Sequence, residues 1–140
     1  MKTTAAVLVQ TGKPLEVMQI TVPKLKQGQV LVDVAYSGVC HTQLLECRGH
    51  RGEDKYLPHC LGHEGSGIVR EVSEGVTKVN VNDKVILSWM KGSGNDVPGT
   101  TYDREGETIN AGGITTFGKQ SVISENRLTR IDKTMSMRDA

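Results

Sequence analysis

Hydrophobic positions along this chain fall in short clusters rather than in long helical stripes. Residues 29–37, QVLVDVAYS, alternate over much of their length, with Val30, Val32 and Val34 on one side. A period of two over such a run predicts a strand with an apolar face. Residues 4–10 are rich in β-formers and hold Val7, Leu8 and Val9 together, while residues 15–22 alternate in part. A further β-rich run at 67–72 is closed by the turn sequence Ser73-Glu74-Gly75. The turn pair Asn82-Asp83 leads into a strand over 84–89, and 115–123 and 127–131 read as the last strands. Many short strands punctuated by glycine and Asn/Asp turns predict a mainly β barrel or sandwich with short helices. No internal repeat interrupts this reading.

Two segments depart from the strand pattern. Residues 91–113 are polar and rich in Gly, Asn and Asp, and read as a loop or a loop with a small hairpin. Their glycines fit a flexible surface excursion; GSGNDVPG is not a phosphate-binding loop, because no Gly-Lys-Ser/Thr follows. The last residues, MSMRDA, have the look of a first helical turn, with Thr134 or Ser136 as its cap. A helix of one turn is poorly stabilised, so the chain is expected to be a piece of a longer protein.

Composition narrows the classes of partner. A length of 140 residues suits one domain with a core that needs no disulfides. Charge is balanced, at 17 basic against 16 acidic side chains, and no basic run marks a nucleic-acid surface. No apolar run is long enough to span a bilayer. Three cysteines and no secretory leader pattern predict reduced thiols and a cytoplasmic location. One Trp, three Tyr and one Phe leave the core to aliphatic residues.

Candidate chemistry is concentrated between Gly38 and Glu64. The stretch opens with GVCHTQ and closes with LPHCLGHEG, which places Cys40, His41 and Thr42 in one cluster and His63 and Glu64 in another. Thiolate, imidazole and carboxylate are the groups that zinc takes as ligands. Each residue also has a plainer role available: a free cysteine is often a small buried apolar group, and a lone histidine is often a hydrogen-bonded structural residue. Glycines at 62, 65 and 67 imply close backbone approach around His63 and Glu64. Cys60 and His63 are spaced C-x2-H beside His59, which can make a local metal pair, although Cys60 is expected to pack in the core. Cys47 reads as a bystander.

The two motifs, followed by EGVTKVNVNDKV, resemble the N-terminal half of zinc-dependent medium-chain alcohol dehydrogenases. The resemblance covers most of residues 5–90 and resumes around 115–131. It implies a GroES-like (chaperonin-10-like) β-barrel over residues 1–132. Residues 91–113 would replace the family's structural-zinc lobe, since no cysteine occurs there. Residues 133–140 would begin the helix leading to a Rossmann domain, which is absent from these residues along with any G-x-G-x-x-G. Carried over by position, Cys40 and His63 would be zinc ligands and Glu64 the carboxylate that can approach the metal. Thr42 would take the substrate's proton, and His41 would lie near the pyrophosphate of NAD or NADP. Zinc would act as a Lewis acid on a small alcohol, with hydride passing to the nicotinamide. A homo-oligomer is expected, and an apolar face where the cofactor domain would dock.

Three departures accompany the resemblance. Gln43 stands where the family has an aspartate that orients the ligand histidine; its amide oxygen can accept an imidazole N–H but adds no charge. Leu45 stands at the position of a relay histidine, leaving His50 or water for that task. Only Asp132 and Asp139 follow Ile131 as candidate third ligands. These residues alone are therefore expected to be inactive and to hold zinc incompletely. Two other readings stay open: a zinc-free quinone-reductase-like domain, and a stand-alone β-barrel that binds a partner without catalysis.

Overall fold

Residues 1–140 are described by a computed structural model. The strands in chain order are β1 (Lys2–Leu8), β2 (Glu16–Thr21), β3 (Gln29–Ser37), β4 (His59–Cys60), β5 (Glu64–Val72), β6 (Lys84–Ser88), β7 (Thr101–Arg104), β8 (Glu107–Asn110), β9 (Gln120–Ser124) and β10 (Leu128–Arg130). One helix, α1 (His41–Cys47), follows β3, and a 3₁₀ turn at Glu125–Arg127 joins β9 to β10. β1, β2, β7, β8 and β4 close a barrel in that order. The other five strands form a sheet in the order β10-β6-β5-β3-β9. The mainly β barrel expected from the strand pattern is the fold observed.

β3 serves two cores. Leu31 packs in one cluster with Val7, Ile20 and Ile109, whereas Val30 and Val32 pack in the other with Val69, Val85 and Leu87. Successive side chains of a strand point to opposite faces, so a strand between two cores is apolar on both. β9 repeats the arrangement, with Val122 in the first cluster and Ile123 in the second. The expected Val30-Val32-Val34 face is present, Val34 being partly buried against the second cluster.

The segment 91–113 is not a surface excursion. It carries the β7–β8 hairpin, whose strands complete the barrel wall. Glu105 at φ 53° and Gly106 at φ 94° make the tight turn, both in the left-handed region that two-residue hairpins favour. Tyr102 and Ile109 face one another across the hairpin and enter the barrel core. The Tyr102 hydroxyl accepts the Val122 N–H at 2.9 Å, tying the hairpin to β9. Only two large apolar residues mark these strands, so their alternation is faint in the sequence.

Two further expectations change in outline. The strand expected over 115–123 begins only at Gln120, because Thr116 and Phe117 instead donate their N–H groups to the Leu61 carbonyl. At the C-terminus, residues 132–140 form turns closed by Met135 N–H to Asp132 O and Asp139 N–H to Ser136 O, and no helix. This tail lies back on the second sheet. Lys84 Nζ donates to the carbonyls of Lys133 and Met135, each at 2.7 Å, and the Ser66 hydroxyl donates to Met137 O. Arg138 and Ala140 line a depression together with Tyr36, Gly38 and Glu64.

Glu125 staples three loops from inside. Its side chain is 1% exposed, and its carboxylate accepts the backbone N–H groups of Thr77 (2.9 Å), Lys78 (3.1 Å) and Asn95 (2.8 Å), plus the Asn95 amide. Burial opposes ionisation, but the donors outweigh it and hold the carboxyl below its ordinary value of 4.5. A depressed carboxylate stabilises the fold above that ordinary value, and the contribution is lost as pH falls through the folded-state pKa. Replacing Glu125 with Ala is expected to cost about 3 kcal/mol at neutral pH by denaturant unfolding. The loss of stability below about pH 4 should also flatten, and an acid limb unchanged from wild type would rule out this role. Ile109→Ala is expected to cost about 2–5 kcal/mol, as a core site does; a cost below about 0.5 kcal/mol would place the hairpin outside the core.

Candidate functional site

The first cluster sits where β3 leaves the sheet. Tyr36 and Ser37 are exposed, and the chain turns through Gly38 to Cys40, which caps the N-terminus of α1 with φ −89° and ψ 150°. The cap is reciprocal: the Cys40 side chain accepts the Gln43 N–H, and Gln43 Oε1 accepts the Cys40 N–H at 2.7 Å. Gln43 is therefore buried and directed at the Cys40 backbone, where the sequence suggested an oxygen for an imidazole N–H. The thiol of Cys40 is held below its ordinary range. The Thr42 hydroxyl and backbone N–H lower it first, burial and the nearby Glu64 charge oppose, and the His41 N–H adds to the lowering. His41 and Thr42 themselves are exposed on the first turn of α1.

The second cluster is brought to the first by tight backbone packing. Gly62 has φ +94°, and a Cβ there would lie 2.2 Å from Thr116 Oγ1. Thr116 and Phe117 fill that space, held there because Leu61 O accepts their backbone N–H groups as well as the Thr115 hydroxyl. At Gly65 a Cβ would lie 2.5 Å from Tyr36 O, so only glycine lets the start of β5 press on the end of β3. Glu64 O accepts the Gly38 N–H at 3.1 Å, and the Glu64 carboxylate lies against Gly38, beside Cys40. The close approach expected from the glycines around His63 and Glu64 is thus observed.

His63 is half-buried, and its ring has no hydrogen-bond partner in the protein. It lines a 440 Å³ cleft with Gln43, Glu46, Tyr56, His59 and Asn110. The structure thus places Cys40, Thr42 and Glu64 around one corner and His63 on the cleft. Three metal-ligating donors within 4.8 Å of one another occur elsewhere, on Glu46, Asp54 and His59. His59 Nε2 lies 2.8 Å from Asp54 Oδ2 and 3.8 Å from Glu46 Oε1, and its Nδ1 lies 3.1 Å from Cys60 O. Burial pushes the Asp54 carboxyl up, but the Tyr56 N–H and His59 outweigh it and the net direction is down. No motif announces this group: the three residues come from α1, from the loop after it and from β4, and only the fold joins them.

The other cysteines behave as packing residues. Cys60 points into the barrel core, and burial pushes its thiol up to about 11, so it is unsuited to a C-x2-H metal pair with His63. Cys47 closes α1; burial and then the Glu46 charge push its thiol up, and its carbonyl accepts the Gly12 N–H at 2.6 Å. Asp132 holds the Thr134 N–H and hydroxyl at 2.8 and 2.6 Å, which commits it to a local turn. No helix is long and apolar enough to cross a membrane.

Comparison with known proteins agrees with this architecture. S-(hydroxymethyl)glutathione dehydrogenase of a Synechocystis strain is 49% identical over 86 residues, 61% of this chain and 23% of the relative. The enzyme of the same name from Escherichia coli is 46% identical over 94 residues, 67% of this chain and 25% of the relative. The matched region thus amounts to about a quarter of the length of these relatives. Among solved structures, benzyl alcohol dehydrogenase from Acinetobacter calcoaceticus superposes with TM-score 0.80 at 26% identity, over 98% of this chain and 43% of that one. An alcohol dehydrogenase zinc-binding domain protein from Burkholderia ambifaria shares the fold, with TM-score 0.85 at 24% identity over 98% of this chain and 44% of that one. The pattern of the alcohol dehydrogenase GroES-like domain matches residues 26–133, a span that contains both clusters and every strand of the second sheet, and the chain belongs to that family.

Proposed function

We propose that these residues form the metal-binding half of an alcohol dehydrogenase that interconverts a small alcohol and its aldehyde or ketone with NAD or NADP. What supports the reading is the packing of β5 on the end of β3, which brings Glu64, the neighbour of His63 in the chain, against Gly38 and near Cys40. The donor set fits zinc in kind: a thiol held below its ordinary range, an imidazole that no protein group engages, and an adjacent carboxylate. Cys40 and His63 would hold the ion, with Glu64 as the carboxylate within reach. When bound, zinc supplies Lewis-acid polarisation of an alcohol oxygen.

The chain's own residues do the rest of the positioning. Thr42, exposed on the first turn of α1 next to Cys40, would take the proton of a substrate O–H. His41, exposed on the same turn, would lie near the pyrophosphate of the dinucleotide. Gln43 is committed to the Cys40 backbone, so His63 lacks a carboxylate to raise its basicity and holds metal less tightly. Dinucleotide binding and a further ligand are assigned to sequence outside these residues, and turnover by these residues alone is not expected. Exposed Tyr36, Val39, Trp89 and Met90 favour association with further protein surface, including a second copy. Three free cysteines suit a reducing cytoplasm.

Cobalt substitution tests the site directly. The wild-type chain loaded with Co²⁺ is expected to show a thiolate-to-metal charge-transfer band that Cys40→Ser abolishes and His63→Ala weakens. In an enzyme that includes the dinucleotide domain, Cys40→Ser should reduce alcohol oxidation to background. A charge-transfer band and activity that both survive Cys40→Ser would overturn the assignment.

A further inference from the structure

We infer that Glu46, Asp54 and His59 form a second divalent-cation site, built from nitrogen and oxygen donors alone and opening on the cleft. The donors converge from three separate parts of the chain. Bonds of 2.0–2.2 Å in a tetrahedral site leave ligand atoms about 3.3 Å apart. The His59 Nε2 distances of 2.8 Å to Asp54 and 3.8 Å to Glu46 bracket that value, so small side-chain rotations suffice to admit an ion.

The surroundings support a cation rather than an ion pair complete in itself. Two carboxylates face one imidazole, and neither Glu46 nor Asp54 is paired with a lysine or arginine. The Glu46 carboxylate accepts no hydrogen bond, and its side chain is 31% exposed toward the cleft. His59 is buried, and both ring nitrogens face oxygen acceptors, Nδ1 the Cys60 carbonyl at 3.1 Å and Nε2 the Asp54 carboxylate at 2.8 Å. An ion entering the group takes the place of the proton between Nε2 and Asp54, while the Cys60 carbonyl continues to hold Nδ1, backbone support of the kind that metal-bound histidines have.

A second, independent feature points the same way. Gln43 lines the same cleft and is 4% exposed; its Oε1 is used by Cys40, but its amide nitrogen has no partner in the protein. On the wall of the cleft that nitrogen is free to donate to water or to an anionic ligand on the cation. Donors of one imidazole and two carboxylates suit Zn²⁺ or Mn²⁺ and leave positions open toward the cleft.

The test separates this site from the Cys40–His63 pair. A chain carrying Cys40→Ser and His63→Ala is titrated with Zn²⁺ by calorimetry and with Co²⁺ by visible absorption. One equivalent should bind, with d–d bands and no thiolate charge-transfer band. Adding Glu46→Gln or Asp54→Asn to that background should each weaken binding by about tenfold or more, with an unchanged circular dichroism spectrum. Absence of saturable Zn²⁺ binding below about a millimolar, a weak-affinity limit near 4 kcal/mol, would overturn the site. So would affinity unaffected by Glu46→Gln, a change on a helix surface that leaves the fold intact. Failure here leaves the Cys40 charge-transfer band untouched, so the two sites stand or fall separately.

Discussion

The structure depends on β3 being buried from both sides. Its alternating side chains feed the barrel core on one face and the second core on the other, while β5 and β9 take up its edges. A strand so enclosed has its register fixed, since a slip of one residue would exchange the contents of the two cores. That rigidity matters where β3 emerges. Gly38 and Cys40 begin from a point set by the packing of Val30 to Val34, and the start of β5 is pressed against them by the same pairing. Position of the functional side chains is thus inherited from hydrophobic packing some residues upstream.

Buried carboxylates add a second layer of order. Glu125 gathers donors from loops far apart in the chain, and Asp54 joins the loop after α1 to β4 through His59. Each is an ionised group taken from water, which is tolerable only where several donors replace the hydration lost. They differ in completeness. Glu125 is surrounded by backbone N–H groups and has a purely architectural part. The Asp54 group has a second carboxylate on its edge and open space beyond it, which is why it supports chemistry rather than structure alone.

Much of this was legible in the sequence where a physical signal was local. The period-two run at 29–37 and the glycines around His63 each follow from a rule acting within a few residues, and both the strand and the close packing are present. What stayed hidden depends on distant partners. β4 is two residues long and exists because β1 and β8 accept it. The β7–β8 hairpin carries one large apolar residue per strand, enough to fill a barrel but too few to make a pattern. Gln43 could be read as a partner for a histidine, and only the helix geometry shows it turned to Cys40 instead. The pairing of His59 with Asp54 and Glu46 lies in no motif at all. The last residues had the composition of a helix start, but Lys84 and Ser66 draw their carbonyls into turns.

That folded-back tail has a practical corollary. Ala140 shares a depression with Gly38 and Glu64, so residue 140 is a neighbour of the proposed metal corner. A purification tag fused there, above all one made of histidines, would sit within reach of the corner and compete for the same ions. A fluorophore at the same position would instead serve as a built-in reporter of what binds beside Cys40.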